Sequence, residues 1–222
     1  MKNIVLITSI IDTPNKELSY TNTRSIYNRY DRYQQTKNTI QSIKLYIPNN
    51  YIILVECSNF TNEENIYFND NCDVVINLYN NTELRNKIYS ISKSLGEGTM
   101  TIQALNYIID NQIIYNNLFK ISGRYFINNE FDYNHFDNDK NNFAMIGNNI
   151  TNINTRLYKI NKNHTILLRD FLLKNHNLML NCIGYENLIG KFVNSIYKDD
   201  IIFLNKLGVS GLIAVDGVFV SD

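Results

Sequence analysis

The sequence predicts a single α/β domain, in which helices flank a mostly parallel central sheet in a Rossmann-like order. Short apolar runs alternate with helical patterns through the first 125 residues, and this alternation is typical of βαβ units. The chain has 222 residues, of which 44% are hydrophobic and 19% charged, a composition that suits one globular domain. No internal repeat or linker is found, so we expect one domain over 1–222.

The first half is expected to supply the parallel strands. Each predicted strand is a short, continuous, apolar and β-branched run. These runs are 3–10, 51–57, 73–78 and 118–122. Apolar residues spaced three or four apart predict helices over 31–47, 82–92 and 99–111. Asp31 is the expected N-cap of the first helix, and the polar residues 58–72 are expected to form a loop.

The second half is less regular. Residues 128–142 are dense in Asn and Asp and are expected to form an exposed loop. Strands are predicted over 143–146, 155–160 and 200–204, and a last apolar stretch covers 212–220. Helices are predicted over 165–174 and 185–196, where apolar residues again mark one helical face.

Charge and cysteine content exclude several classes of protein. Lys+Arg and Asp+Glu both number 21, and without a basic patch we expect no nucleic-acid partner. Apolar runs are too short for a membrane span, and no signal-peptide cleavage site follows the first run, so a cytoplasmic location is expected. Cys57, Cys72 and Cys182 lack metal-ligand spacing and are expected to be small buried residues.

The segment 118–125, LFKISGRY, is the first candidate for a functional site. Parallel sheets bind ligands beyond the carboxyl ends of their strands, and here a strand ends at Ser122 and Gly123, directly before Arg124. Glycine lets the backbone approach a ligand closely, and a guanidinium can bind phosphate through two hydrogen bonds. The alternative is a tight turn with a surface arginine.

The segment 93–98, KSLGEG, precedes the helix expected to begin near Thr99. Backbone amides at a helix N-terminus attract anions. Lys93 would add positive charge beside Gly96, and Glu97 could accept hydrogen bonds from sugar hydroxyls. An ordinary capped helix start is the alternative interpretation.

The end of the first strand and the loop after it add further candidates. Thr8, Ser9 and Ile10 are placed to contact a base or ribose. Three arginines follow near the start of the first helix, where they could face phosphates or simply be solvated: Arg24, Arg29 and Arg32.

Glu186 opens the helix predicted after Cys182-Ile-Gly-Tyr185. A carboxylate there can act as a general base toward a hydroxyl, or it can merely complement the helix dipole. The literal Asp-x-Asp at Asp137 and Asp139 lies in a stretch so rich in Asn and Asp that we attribute it to chance, and no residue is assigned as a metal ligand. The dinucleotide fingerprint and the Walker A pattern are absent.

The order of these segments resembles the GT-A glycosyltransferase superfamily, especially its small bacterial and viral sugar transferases. The resemblance covers most of the chain and rests on order and spacing. Its elements are the strand 3–9, the helix 32–48 with its TIQSI sequence, the strand 51–58, Lys93-x-x-Gly96-Glu97, FKISGRY at 119–125, Tyr185-Glu186, and Leu207-Gly-Val-x-Gly211.

This resemblance implies a GT-A architecture with a nucleotide-sugar-binding half, 1–127, and an acceptor-binding half, 128–222. It implies a UDP-, GDP- or CMP-sugar donor, a glycan or small-molecule acceptor, and a role in polysaccharide biosynthesis. Many members carry Asp-x-Asp after the fourth strand and use Mn²⁺ or Mg²⁺; here Ser122-Gly123-Arg124 stands in that place. Arg124, with Lys93, would then replace the cation, and Glu186 resembles the base of inverting members.

Two other functions stay open from the sequence. A non-catalytic binding module could keep the fold without the Asp-x-Asp. A sugar-phosphate nucleotidyltransferase would need a glycine-rich basic loop after the first strand, and residues 9–18 contain no glycine.

Overall fold

A computed structural model describes residues 2–147 and 149–222. Its strands are β1 (Asn3–Ser9), β2 (Asn50–Glu56), β3 (Val74–Asn77), β4 (Asn117–Ser122), β5 (Tyr125–Ile127), β6 (Asn141–Phe143), β7 (Met145–Ile146), β8 (Asn149–Ile153), β9 (Leu157–Asn161), β10 (Ile201–Phe203), β11 (Val209–Leu212) and β12 (Phe219–Ser221). Its helices are α1 (Arg29–Tyr46), α2 (Asn62–Asn71), α3 (Thr82–Ile88), α4 (Lys93–Asp110), α5 (Thr165–Lys174), α6 (His176–Leu180) and α7 (Tyr185–Val193).

The central sheet has seven strands in the order β10-β6-β9-β4-β1-β2-β3. β1 is parallel to both β2 and β4, and β2 is parallel to β3. β9 runs antiparallel to its neighbours β4 and β6. The predicted mostly parallel α/β sheet is therefore confirmed, and the chain reverses its direction of travel across the sheet between β1 and β4.

Two apolar cores cover the two faces of this sheet. One contains residues of α4, α5 and α7, such as Leu105, Leu168 and Leu188. The other contains residues of α1 and the strand β5, such as Ile40 and Ile127. The sheet is thus the middle of three layers, which leaves its carboxyl-terminal edge free of packed helices. Among the described residues, no helix combines the length and the apolar character needed to cross a bilayer.

A smaller antiparallel sheet, β12-β11-β5, continues from the end of β4. A Cβ added at Gly211 on β11 would lie 2.5 Å from the Arg124 carbonyl oxygen. Only glycine therefore lets β11 pass this close to the segment that follows β4. The contact brings the C-terminal residues beside the end of the central sheet.

Helix α4 differs from its prediction because it begins at Lys93 and not near Thr99. Ser92 is the N-cap, and its side chain accepts a hydrogen bond from the Leu95 amide. The glycines that suggested a break lie inside the helix, where a Cβ at Gly96 would be 2.8 Å from the Ile88 carbonyl oxygen. These glycines allow close packing of α4 against its neighbours and do not end the helix.

Helices α1 and α2 also depart from the sequence analysis. Asn28 caps α1, and Asp31 lies at the third position, where its carboxylate accepts a hydrogen bond from the Asn28 amide. Residues expected to form a loop instead form α2, which is capped by Thr61. That helix buries only Glu64 and Phe68, so it lacks the apolar stripe by which helices are recognised in a sequence.

Some helices and strands of the second half differ from their predictions. Helix α5 matches its prediction, whereas α7 ends at Val193. Strand β8 and helix α6 were not predicted. The segment 128–142 is less exposed than expected, since Phe131 and Phe136 are buried in the core on the α1 side.

Candidate functional site

A cleft opens at the carboxyl ends of β1 and β4, where the strand order reverses. It contains about 780 Å³ of empty space, counting the part open to solvent. Crevices at such reversal points are the usual ligand sites of open α/β sheets. We call it the switch-point cleft. Its lining includes the predicted residues Thr8, Ser9, Ile10, Arg24, Lys93, Gly96, Glu97, Ser122 and Arg124.

Gly123 lies under this cleft, where β4 passes closest to β1. Its amide donates to the Thr8 carbonyl at 2.9 Å, and a Cβ at this position would lie 2.8 Å from the Ser9 Cβ. The Thr36 hydroxyl of α1 is also within hydrogen-bond distance of Ser9 and of the Gly123 carbonyl. Glycine is therefore required by packing, and it fixes where the chain leaves the sheet before Arg124.

Arg124 has no ion-pair partner among the described residues. Its Nε is buried without a hydrogen-bond acceptor, and its guanidinium lies 5.3 Å from the ring centre of Tyr125. A buried donor without a partner is costly. The guanidinium, which lines the cleft without an ion-pair partner among the described residues, is therefore a candidate partner for an anion there.

Other cations surround the cleft. Arg124 and, to a smaller extent, burial lower the pKa of Lys93. Arg32 is buried and donates from Nε and Nη2 to the Ile10 carbonyl, both at 3.2 Å. Burial and the charge of Arg124 lower the pKa of Arg32, although a guanidinium stays protonated at neutral pH. Because Arg124 lowers the pKa of both Lys93 and Arg32, positive charge is concentrated in the cleft. This concentration favours an anionic ligand.

Arg24 reaches the cleft from the loop between β1 and α1. Its guanidinium donates to the backbone carbonyls of Lys16, Tyr89 and Ser90. Burial lowers the pKa of Arg24. These contacts hold the loop against the residues that precede α4. The positive charge of Arg24 stays at the wall of the cleft.

Glu97 is buried and forms an ion pair with Lys120 of β4. Burial alone would raise the pKa of Glu97, but Lys120 and Lys93 outweigh it and lower that pKa. Among the described residues that line the cleft, Glu97 is the only carboxylate. One of its oxygens is thus already occupied by Lys120, and its negative charge is largely compensated by the protein.

A second cavity adjoins the first, and it contains Glu186. The two cavities share Tyr20, Lys93 and Glu97 in their linings. Glu186 lies in the first turn of α7, and its Oε1 accepts a hydrogen bond from the Thr155 hydroxyl at 3.4 Å. We call this space the Glu186 cavity. A carboxylate is therefore placed next to the cationic cleft but in a separate compartment.

Arg29 does not line the switch-point cleft. Its guanidinium forms ion pairs with Glu64 at 2.5 Å and Asp12 at 3.1 Å. It also donates to the Asn59 carbonyl at 2.5 Å. These contacts join α1 to α2, and they occupy the side chain that was predicted to contact phosphate.

Asp137 and Asp139 lie at the opposite edge of the sheet. The Tyr133 hydroxyl donates to Asp137 at 3.3 Å, and the same hydroxyl accepts from Asn3 at the amino end of β1. Over residues 2–147 and 149–222, no cluster of three or more His, Cys, Asp or Glu side chains is placed to hold a metal ion. The literal Asp-x-Asp therefore lies away from the cleft.

Several lining residues were not predicted from the sequence. They come from the loop after β1, from α3, from α4 and from the C-terminal segment: Thr13, Leu18, Tyr20, Ser25, Ile88, Met100, Ile213, Ala214 and Val215. The Ile26 amide donates to the Ala214 carbonyl at 2.8 Å, which holds two of these segments together. No local motif marks them, and the C-terminal residues among them reach the cleft through the β5-β11 pairing.

Comparison by sequence identifies no relative. No family model matches the chain, and no curated protein matches it significantly. Comparison by structure gives clear matches.

The apo form of the glycosyltransferase GlyE from Streptococcus pneumoniae TIGR4 matches with a TM-score of 0.53 and 12% identity. The match covers 92% of this chain but 45% of GlyE, so the chain spans less than half of that protein. A putative nucleotide-diphospho-sugar transferase from Desulfovibrio desulfuricans G20 matches with a TM-score of 0.51 and 9% identity, over 91% of this chain and 79% of the other. At these identities the likeness concerns the fold alone, and it confirms the predicted Rossmann-like GT-A fold.

Proposed function

We propose that this protein is a glycosyltransferase that moves a sugar from a nucleotide-sugar donor to a hydroxyl group of a glycan or small-molecule acceptor. The observation that carries the proposal is the unpaired Arg124 in the switch-point cleft, next to a separate cavity that contains Glu186. An anion site and a carboxylate in adjoining compartments match the two substrates of such a transfer. The fold shared with nucleotide-sugar transferases supports the same conclusion.

In this proposal the cleft binds the donor. Thr8, Ser9 and Ile10 at the end of β1 contact the nucleoside, as predicted from the sequence. The diphosphate lies against Arg124 and Lys93, which have no carboxylate partner of their own among the described residues. Positive groups placed in advance where negative charge develops lower the barrier to bond breaking.

The Glu186 cavity receives the acceptor. Glu186 removes the proton of the acceptor hydroxyl, and the oxygen forms a bond to the anomeric carbon of the donor sugar. The bond from that carbon to the diphosphate oxygen breaks, and its electron pair leaves with the nucleoside diphosphate, next to Arg124. Attack opposite to the leaving group inverts the configuration of the anomeric carbon.

The residues after β4 do not fit a divalent cation. Mg²⁺ and Mn²⁺ prefer carboxylate oxygens, whereas Ser122-Gly123-Arg124 places a guanidinium there, and the carboxylate in the cleft, Glu97, is paired with Lys120. No step of the proposed reaction therefore passes through a metal ion. Transfer is expected to continue in the presence of EDTA.

The first test is a thermal-shift screen with UDP-, GDP-, CMP- and dTDP-sugars, each with EDTA and with Mn²⁺ or Mg²⁺. A donor at one hundred times its Kd should stabilise the protein by about 2.7 kcal/mol, and we expect the same shift with EDTA. Product analysis with that donor and a panel of p-nitrophenyl glycosides then measures transfer. Stabilisation that requires Mn²⁺ or Mg²⁺ would contradict the metal-free mechanism.

The variant Glu186→Gln tests the proposed base. It should keep donor binding and lose roughly 100- to 10,000-fold in transfer, the usual contribution of a general base. Glu63→Gln is a matched control, because Glu63 also lies in the first turn of its helix but outside both cavities. Full transfer by Glu186→Gln would remove Glu186 from the mechanism, and donor binding without any turnover in the wild type would favour the non-catalytic module.

A further inference from the structure

Tyr20 is placed at the junction of the two cavities. With Lys93 and Glu97 it is one of the residues that line both the switch-point cleft and the Glu186 cavity. Lys93 and Glu97 belong to α4, below the junction, whereas Tyr20 belongs to the loop between β1 and α1. Tyr20 therefore lines the junction from a different segment of the chain than Lys93 and Glu97.

The turn that carries Tyr20 is fixed to its surroundings. Leu18 and Thr21 form an isolated antiparallel bridge around it, and the buried Leu18 side chain anchors the turn in the cleft wall. The Ser19 amide donates to the Ile91 carbonyl at 3.0 Å, next to the start of α4. The turn is thus held beside the start of α4, whose Lys93 lines both cavities.

The Tyr20 side chain itself is not used for packing. It is 60% exposed, although the backbone around it is restrained. Partial burial raises the pKa of Tyr20, which the charge of Arg124 lowers and that of Glu186 raises. The phenol therefore lies near charged groups of both cavities while much of the residue stays open to solvent.

We propose that Tyr20 covers the transferred sugar and excludes water from the junction, so that the donor sugar passes to the acceptor hydroxyl and not to water. The proposal rests on the proposed function and extends it to a residue that controls the outcome of the reaction. An aromatic ring can pack on the apolar face of a sugar while its hydroxyl stays near polar groups. Exclusion of water from a closed site prevents hydrolysis of a reactive donor.

The test measures transfer and donor hydrolysis in the same reaction. The probes are the nucleotide sugar selected by the thermal-shift screen and the p-nitrophenyl glycoside that is glycosylated fastest. Tyr20→Ala should raise the ratio of hydrolysis to transfer by about tenfold or more, since water then reaches the junction. Tyr20→Phe keeps the ring, so its ratio should stay within about twofold of the wild type.

Tyr197→Ala is the control, because Tyr197 is 83% exposed and lines neither cavity. The ratio does not depend on the fraction of folded enzyme, so partial unfolding caused by the substitution would not change it. An unchanged ratio in Tyr20→Ala would overturn the role of Tyr20 alone. A ratio in Tyr20→Phe as high as in Tyr20→Ala would overturn the role of the ring, and a wild type that turns over no donor would overturn both proposals.

Discussion

Lys120 and Arg124 lie on one short segment, LFKISGRY, and yet the protein treats their charges in opposite ways. Lys120 is 1% exposed, and its ammonium group is paired with Glu97. Arg124 is half-buried, its Nε has no acceptor, and no carboxylate among the described residues pairs with it. A buried charge is costly unless it is compensated, so we infer that the first cation serves the fold and the second serves a ligand.

Lys120 and Arg124 lie on opposite sides of the end of β4. Lys120 is inside the strand, in register with Leu6 of β1 and Tyr158 of β9, and it reaches α4 on one face of the sheet. Arg124 is beyond the strand end, where Gly123 turns the chain over β1. Position relative to the strand end thus decides whether a cation on this segment is part of the core or part of the cleft.

The largest expected effect is on stability, in Lys120→Met. This change leaves Glu97 as a buried carboxylate without its partner, and breaking such a pair costs about 3–5 kcal/mol. Urea denaturation should therefore show a large loss of unfolding free energy. The double variant Lys120→Met/Glu97→Gln should recover much of that loss, because a neutral amide leaves no charge unpaired. A single variant as stable as the wild type would show that the pair does not matter for the fold.

The second effect is on activity, in Arg124→Gln. Loss of the charge beside the leaving diphosphate should lower kcat/KM by about 100- to 1000-fold and weaken binding of the free nucleoside diphosphate. The melting temperature should change little, because no carboxylate loses its partner.

Arg169→Gln is the matched control for Arg124→Gln. Arg169 lies on α5 and pairs only with the exposed Asp170, outside both cavities. Full transfer activity in Arg124→Gln, or the same loss in the control, would contradict the assignment of Arg124 to the donor.

Strands β1, β2 and β4 were predictable because each is a continuous, mostly apolar run that is largely buried on both faces. Their parallel order then placed the ends of β1 and β4 together, and with them Ser9 and Ser122. The start of α4 was not predictable in the same way. Glycine inside a helix costs up to about 1 kcal/mol relative to alanine, so Gly96 and Gly98 suggested a break. The close contacts of these glycines are with Ile88 of α3 and Met179 of α6, which the local sequence of α4 does not reveal.

The site residues likewise divide into those that the local sequence predicts and those that only long-range contacts place. Arg29 was grouped with Arg24 because both follow β1 in the sequence, but the pairing of Arg29 with Glu64 depends on α2, a helix that the sequence analysis interpreted as a loop. Tyr20 was missed because nothing in the sequence distinguishes it among 16 tyrosines. Its place is set by hydrogen bonds to the chain before α4.

The smallest of these effects is expected in Gly123→Ala. Gly123 lies between Lys120 and Arg124 in the chain. The added Cβ would lie 2.8 Å from the Ser9 Cβ, and such overpacking costs about 1–3 kcal/mol. Because the strain is relieved by moving the chain that carries Arg124, donor binding in the thermal-shift assay should weaken as well. Removal of the opposing Cβ in Gly123→Ala/Ser9→Gly should restore part of the stability, so a double-mutant cycle should show a favourable coupling. Additive effects of the two changes would mean that the backbone moves freely here, and that the position of Arg124 does not depend on the close contact between β1 and β4.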